Sequence, residues 1–172
     1  MLLAGPVLAA EAFTLKSPQI KEGGALNHAQ VFNGFGCSGG NISPALEWSN
    51  PPAGTKSFAL TVYDPDAPTG SGWWHWVVFN IPASARSIPL NASAEPAKLP
   101  AGAVQSVTDF GVPGYGGACP PEGDKPHRYI FTLYALSTPA LELEPGAMPA
   151  LVGFNIHGVV LGKAVLTATY AR

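Results

Sequence analysis

Trp73-Trp74-His75-Trp76-Val77-Val78-Phe79-Asn80-Ile81 is the stretch that decides the fold. It is dense in aromatic and β-branched side chains, which suit a pleated, half-buried surface, and Pro82 stops it. Strict alternation sets Trp73, His75, Val77 and Phe79 on one face and Trp74, Trp76, Val78 and Asn80 on the other. Working outward, Ser57 to Tyr63, His127 to Leu136 and Lys163 to Tyr170 carry the same strand signature. Phe13 to Leu15, Ala45 to Trp48 and Val104 to Thr108 are shorter candidates. Between them lie Pro51-Pro52-Ala53-Gly54, the run from Pro65 to Gly72 and the long Gly111 to Pro126 segment, all turn chemistry. Met148 to Val160 suits a helix, with Pro149 tolerated in a first turn and Leu151, Phe154 and Val159 at roughly helical spacing. The expected fold is mainly β and antiparallel, with one or two short helices.

Composition narrows the function classes. The 172 residues fit one domain, and apolar residues make up 47%. Charged residues are only 12%, against about 25% in an ordinary chain. With 20 Gly and 18 Pro beside 8 Phe, 5 Tyr and 4 Trp, the chain reads as packed and turn-rich rather than disordered. Nine Lys and Arg against eleven Asp and Glu leave a net charge of −2, with no basic run. A nucleic-acid binder needs a cationic footprint to displace counterions from phosphates, so that class is excluded. No apolar stretch approaches the roughly 20 residues that span a bilayer. A small molecule or another protein remains as partner, and a homodimer stays open.

Residues 1–12, short, apolar and rich in small side chains, read as the latter part of an export signal, leaving 13–172 as a single domain. The two cysteines, Cys37 and Cys119, sit in glycine-rich loops. An even count in an exported chain suggests one bridge, with two unpaired thiols as the alternative.

Two motifs mislead. Gly34-Phe35-Gly36-Cys37-Ser38-Gly39 spells a dinucleotide fingerprint, and Gly36-Cys37-Ser38-Gly39-Gly40 a nucleophile elbow. Both need a strand before and a helix after, and Asn41-Ile42-Ser43-Pro44 does not start a helix.

The chemistry-bearing residues gather at strand ends. His75 lies in one long strand, and His127 and Tyr129 open another on a face that continues as Phe131 and Leu133. Asp64 and Asp66 sit where the strand ending at Tyr63 runs into a proline-containing loop. If those ends are neighbours, two carboxylates, two imidazoles and a phenol meet at one rim, a polar site on an apolar scaffold. Two histidines and two carboxylates also satisfy a zinc ligand list, but no short His-x-x-x-His pair is present and no metal is expected.

Asp64-Pro65-Asp66-Ala67-Pro68, Trp73-Trp74-His75-Trp76-Val77-Val78-Phe79-Asn80 and Pro120-Pro121-Glu122-Gly123-Asp124-Lys125-Pro126-His127-Arg128-Tyr129, taken together, resemble the phosphatidylethanolamine-binding protein family, in its bacterial Raf kinase inhibitor-like branch. The resemblance runs from about Phe13 onward. It implies a large antiparallel sheet packed on a smaller one, with a small anion-binding pocket at one end. The implied pocket is Asp64, Trp73, His75, Gly117, Pro121, His127 and Tyr129, supported by Asp66 bonding to His127. It also implies cis peptides at Ala67-Pro68 and Ser71-Gly72, and it places Cys37 and Cys119 with exported bacterial members, periplasmic or secreted. The implied function is non-catalytic binding of a small anion or phosphorylated head group, without a cofactor. The alternatives are an interaction module acting on a protease or kinase through the pocket rim, and a hydrolase or lyase using His75 and His127.

Overall fold

The computed structural model describes residues 11–172, so the export-signal reading of residues 1–12 falls almost wholly outside the described residues. The strands are β1 (Thr14–Lys16), β2 (Asn33–Gly34), β3 (Cys37–Ser38), β4 (Leu46–Ser49), β5 (Ser57–Asp64), β6 (Trp73–Pro82), β7 (Ser87–Ile88), β8 (Val104–Gln105), β9 (His127–Leu136) and β10 (Val160–Tyr170). The α-helix is α1 (Pro149–His157). Every strand pairing is antiparallel, in a five-stranded sheet ordered β10-β9-β5-β6-β8 and a three-stranded sheet ordered β1-β4-β7.

The main core fills the space between the two sheets. Leu15, Leu46, Trp48 and Ile88 of the small sheet meet Phe58, Leu60 and Val62 of β5 and Phe131 and Leu133 of β9, all buried. Burying side chains of this size stabilises the fold by about 1.5–3 kcal/mol each before chain entropy is subtracted. On the other face of the large sheet, Val152 and Ile156 of α1 pack on Ala59, Val77 and Phe79.

The helix starts at Pro149, as the proline's fixed φ favours, but the chain turns back to extended backbone by Val160. Its buried positions are Pro149, Val152 and Ile156. Leu151 and Phe154, which set the helical spacing, are 47% and 75% exposed, and Val159 lies beyond the last helical turn. Apolar residues occur on more than one side of this helix, so period alone cannot choose the covered face.

Alternation holds along β9, where Tyr129, Phe131, Leu133 and Ala135 all join the main core. It fails along β6, which carries two bulges. Val62 pairs with Trp76 and Tyr63 with Trp74, which leaves His75 without an opposite residue. Likewise Leu60 pairs with Val78 and Phe58 with Ile81, and the extra residue Asn80 takes a left-handed φ of 57°. Trp76, Val78 and Ile81 consequently enter the main core, while Val77 and Phe79 turn to α1. A bulge re-aims a side chain in this way, and the first one delivers His75.

Beside the sheet edge, β2 and β3 form a hairpin whose tip, Phe35 and Gly36, has φ of 53° and 84°, the left-handed pair of a two-residue turn. Cys37 is bonded to Cys119, 82 positions further along the sequence. Closing a loop of that length restricts the unfolded chain by up to about 4.5 kcal/mol. Arg172 adds a polar tie, donating to the carbonyls of Pro120 at 2.6 Å, Gly36 at 3.3 Å and Phe35 at 3.4 Å.

Candidate functional site

Three strands of the large sheet present polar residues at one end. β5 finishes on Asp64, β6 begins opposite it at Trp73, and β9 begins at His127. The expectation of a common rim is thereby met. Asp64, Trp73, His75, Pro121, His127 and Tyr129 all line one cavity of about 150 Å³. Sites for drug-sized molecules run to about 300–1,000 Å³, so this hollow suits a small ion or head group.

Asp64 is 3% exposed, yet each of its oxygens is occupied. Oδ2 accepts from Nδ1 of His127 at 2.8 Å. Oδ1 accepts the backbone N–H groups of Asp66 at 2.8 Å and Ala67 at 3.1 Å, in a turn that the strand end makes immediately afterwards. A buried carboxylate is tolerated when its charge is spread over donors in this way.

The partner of His127 corrects one expectation. Asp66 does not bond to His127; its carboxylate takes the backbone N–H of Arg128 at 2.9 Å and two guanidinium donors at 2.8 Å. Successive residues of β9 point to opposite faces, so His127 turns inward to Asp64 and Arg128 outward to Asp66. The Arg128 guanidinium lowers the Asp66 carboxyl to about 2. The second ring nitrogen of His127, Nε2, lies 3.3 Å from Oδ2 of Asp124. Both nitrogens of this ring are therefore engaged.

His75 is arranged differently. Nδ1 donates to the carbonyl of Gly116 at 2.7 Å, since a carbonyl can only accept. Nε2 has no protein partner among the described residues. Burial pushes this imidazole below its ordinary value of 6.5, against the Gly116 carbonyl, which raises it. Its neighbours are the rings of Tyr129 at 5.0 Å and Phe110 at 5.4 Å, both edge-on. The Tyr129 hydroxyl is buried and likewise without a protein partner. Burial, aided by the Asp64 charge, raises this phenol, so it keeps its proton and remains a donor.

Gly117 corrects a second expectation. It does not line the cavity, and its N–H donates to Oδ1 of Asn41 at 2.7 Å, leaving none for a ligand. A Cβ there would strike the carbonyl of Gln30 and the amide of Phe32, so glycine is required by backbone packing behind the cavity. A third correction concerns the loop after β5. All peptide bonds among the described residues are trans, including Ala67-Pro68 and Ser71-Gly72. Instead, Gly72 turns the chain with φ of 68°, and the Tyr63 hydroxyl donates to the Ser71 carbonyl at 2.8 Å.

The cavity's aromatic wall of Phe35 and Phe110 has no counterpart among the expected site residues. Phe110 lies in a loop, yet it stacks on Phe35 of the hairpin at 5.9 Å and meets Trp73 edge-on at 5.5 Å. Nothing local in the sequence marks Phe110, because the disulfide-tied hairpin creates its surroundings. Asp124 falls inside the quoted motif, and its spacing of three from His127 was the available signal.

The chain matches the family model for phosphatidylethanolamine-binding protein over residues 16–171. It belongs to the phosphatidylethanolamine-binding protein family. Among relatives, UPF0098 protein YbcL of Escherichia coli is 53% identical over 162 residues, 94% of this chain and 88% of YbcL. UPF0098 protein YbhB of the same organism is 51% identical over 157 residues, 91% and 99% of the two chains. The crystal structure of E. coli YbcL, described as a member of the mammalian family of these proteins, superposes with a TM-score of 0.91 at 52% identity, covering 93% of this chain and 98% of that one. LppC of Mycobacterium tuberculosis, which carries a provisional lipoprotein name, is 38% identical over 165 residues, 96% of this chain and 75% of LppC. Membership of the phosphatidylethanolamine-binding protein family supports a binding role. No helix among the described residues is long and apolar enough to cross a membrane.

Proposed function

We propose that the cavity binds a small anion or the phosphorylated head group of a larger molecule, without transforming it. The observation that carries this reading is the pair of uncommitted polar groups on a buried wall, the Tyr129 hydroxyl and Nε2 of His75. A buried hydroxyl left unpaired costs about 1–3 kcal/mol, and an anion oxygen relieves that cost. Asp64 does not oppose an anion strongly, since three donors already share its charge. Neutral His75 offers only a lone pair at Nε2, so an anion bonded there brings a proton with it and converts the nitrogen to a donor. The floor of the site thus acts as a proton-linked receptor. Catalysis finds little support, because neither imidazole bonds to a Ser, Thr or Cys among the described residues, and Cys119 is held in its disulfide.

Titration with phosphorylethanolamine tests the reading, with tryptophan fluorescence as the signal because Trp73 lines the cavity. Saturable quenching that Tyr129→Phe weakens supports it. A flat response at millimolar ligand, the same in His127→Ala, counts against it.

A protein partner at the cavity rim is the second reading, favoured by Phe35 and Val112, which are 67% and 59% exposed. Val112→Ser, outside the cavity, separates the two by weakening a protein complex while leaving head-group affinity in place. For location, the disulfide and the LppC relative favour an extracytoplasmic compartment, since cytosolic thiols are kept reduced.

A further inference from the structure

The two histidines of the cavity differ in availability. His75 keeps one ring nitrogen uncommitted, whereas His127 has a carboxylate on each. The two carboxylates on His127 are not equivalent. Asp64 is buried and held by two backbone N–H groups besides the imidazole. Asp124 is 43% exposed at its side chain and reaches Nε2 at 3.3 Å, the longer of the two contacts. It rides on a loop flanked by Pro121 and Pro126, next to Gly123, whose φ is 84° and around which a Cβ would meet nothing within 4 Å. Its exposure gives the Asp124 carboxylate solvent to swing into, which buried Asp64 lacks.

We infer that Asp124 is a built-in competing anion, a latch on Nε2 of His127 that a bound anion must displace. The inference rests on the proposed anion-binding role of the cavity. While the latch is closed, His127 has no N–H left for a ligand. When Asp124 leaves, the Nε2–H group is freed as a donor on a ring that lines the cavity, and the carboxylate nearest to that nitrogen moves out to water. The contact thus sets a threshold. Anions that outcompete a single exposed carboxylate for one N–H are admitted, and weaker acceptors are held off. Asp124 is a specificity-determining residue by this account, acting through His127 and not through the ligand itself.

Affinity for inorganic phosphate and for phosphorylethanolamine, measured by calorimetry on the natural chain, Asp124→Ala, Asp124→Asn and Glu122→Gln, tests the latch. Glu122 is the control, an exposed acid two positions away that makes no hydrogen bond among the described residues, so its loss changes the loop charge alone. Asp124→Ala is expected to bind both ligands about tenfold more tightly, equivalent to about 1.4 kcal/mol. Asp124→Asn keeps an acceptor without its charge and should fall between, and Glu122→Gln should match the natural chain. The Nε2 nitrogen resonance of His127 should move in Asp124→Ala before any ligand is added, with that of His75 unmoved. Binding by the natural chain with no gain in Asp124→Ala, or an equal gain in Glu122→Gln, overturns the latch and leaves the binding role standing. No binding by the natural chain or by Asp124→Ala overturns the binding role, and the latch with it.

Discussion

The buried floor of the cavity and the exposed rim of the sheet beside it contain the same kind of pair, an acid with a base, on adjacent residues of β9. On the floor, Asp64 holds His127, and both side chains are 4% exposed. On the rim, Asp66 holds Arg128, with side chains 31% and 54% exposed. The rim pair has the better geometry, with three donors on one carboxylate, yet water competes for all of it. The floor pair has fewer direct bonds and far more at stake, because neither group can fall back on solvent. Burial decides the energetic weight of these two contacts more than bond count does.

The same substitution at the two acids makes the contrast measurable. Asp64→Asn replaces one carboxylate oxygen with an amide, so either His127 or the turn N–H groups lose their acceptor. A loss of about 3 kcal/mol or more is expected, read as a fall in the denaturant midpoint, together with loss of anion binding. Cleaving the Cys37–Cys119 bridge, which ties the rim hairpin to the cavity wall, should cost about 2–4 kcal/mol in the same assay. A midpoint unchanged by reductant would show that Arg172 and the hairpin bonds hold the rim without it.

The pH dependence separates floor from rim by sign and by window. His75 is lowered in the folded chain, so the unfolded chain binds the extra proton first. Stability from this group is present above the ordinary imidazole value of 6.5 and declines as pH falls below it. Anion affinity runs the other way, rising as pH falls, because the bound state needs His75 protonated. Sulfate, which does not titrate between about pH 8 and pH 5, is the probe for that arm, and His75→Gln should flatten both profiles. The smallest effect belongs to the rim. Asp66→Asn should cost less than about 1 kcal/mol, since exposed pairs are screened. As the Asp66 carboxyl sits at about 2 rather than 3.8, its contribution is present above 3.8 and fades as pH falls toward 2.

Legibility in the sequence followed local pattern. β9 was readable because its alternation is unbroken, which also identified Tyr129 and His127 as neighbours of a core face. β6 was readable as a strand but not in its facing, since a bulge is an insertion in pairing and leaves no mark on composition. Asp64 and Asp66 are both legible as site acids, but the resemblance gave Asp66 His127 as partner where the structure gives it Arg128. The assignment turned on which side of β9 each partner leaves, and that depends on register against β5. Gly117 entered through the resemblance as a pocket residue, whereas it packs behind the cavity with its N–H on Asn41.

The long strands and the turns between them, a short helix after Met148 and the residue types available for a polar site followed from the amino-acid sequence, because each depends on neighbours a few positions away. Which carboxylate meets which base, which face of α1 is covered, that Phe110 and Phe35 line the cavity, and that Asp124 reaches Nε2 of His127 were decided only by the tertiary structure. These contacts join residues far apart in the chain or on opposite sides of one strand. Their energies depend on register and exclusion of water, and neither quantity exists until the sheets have packed.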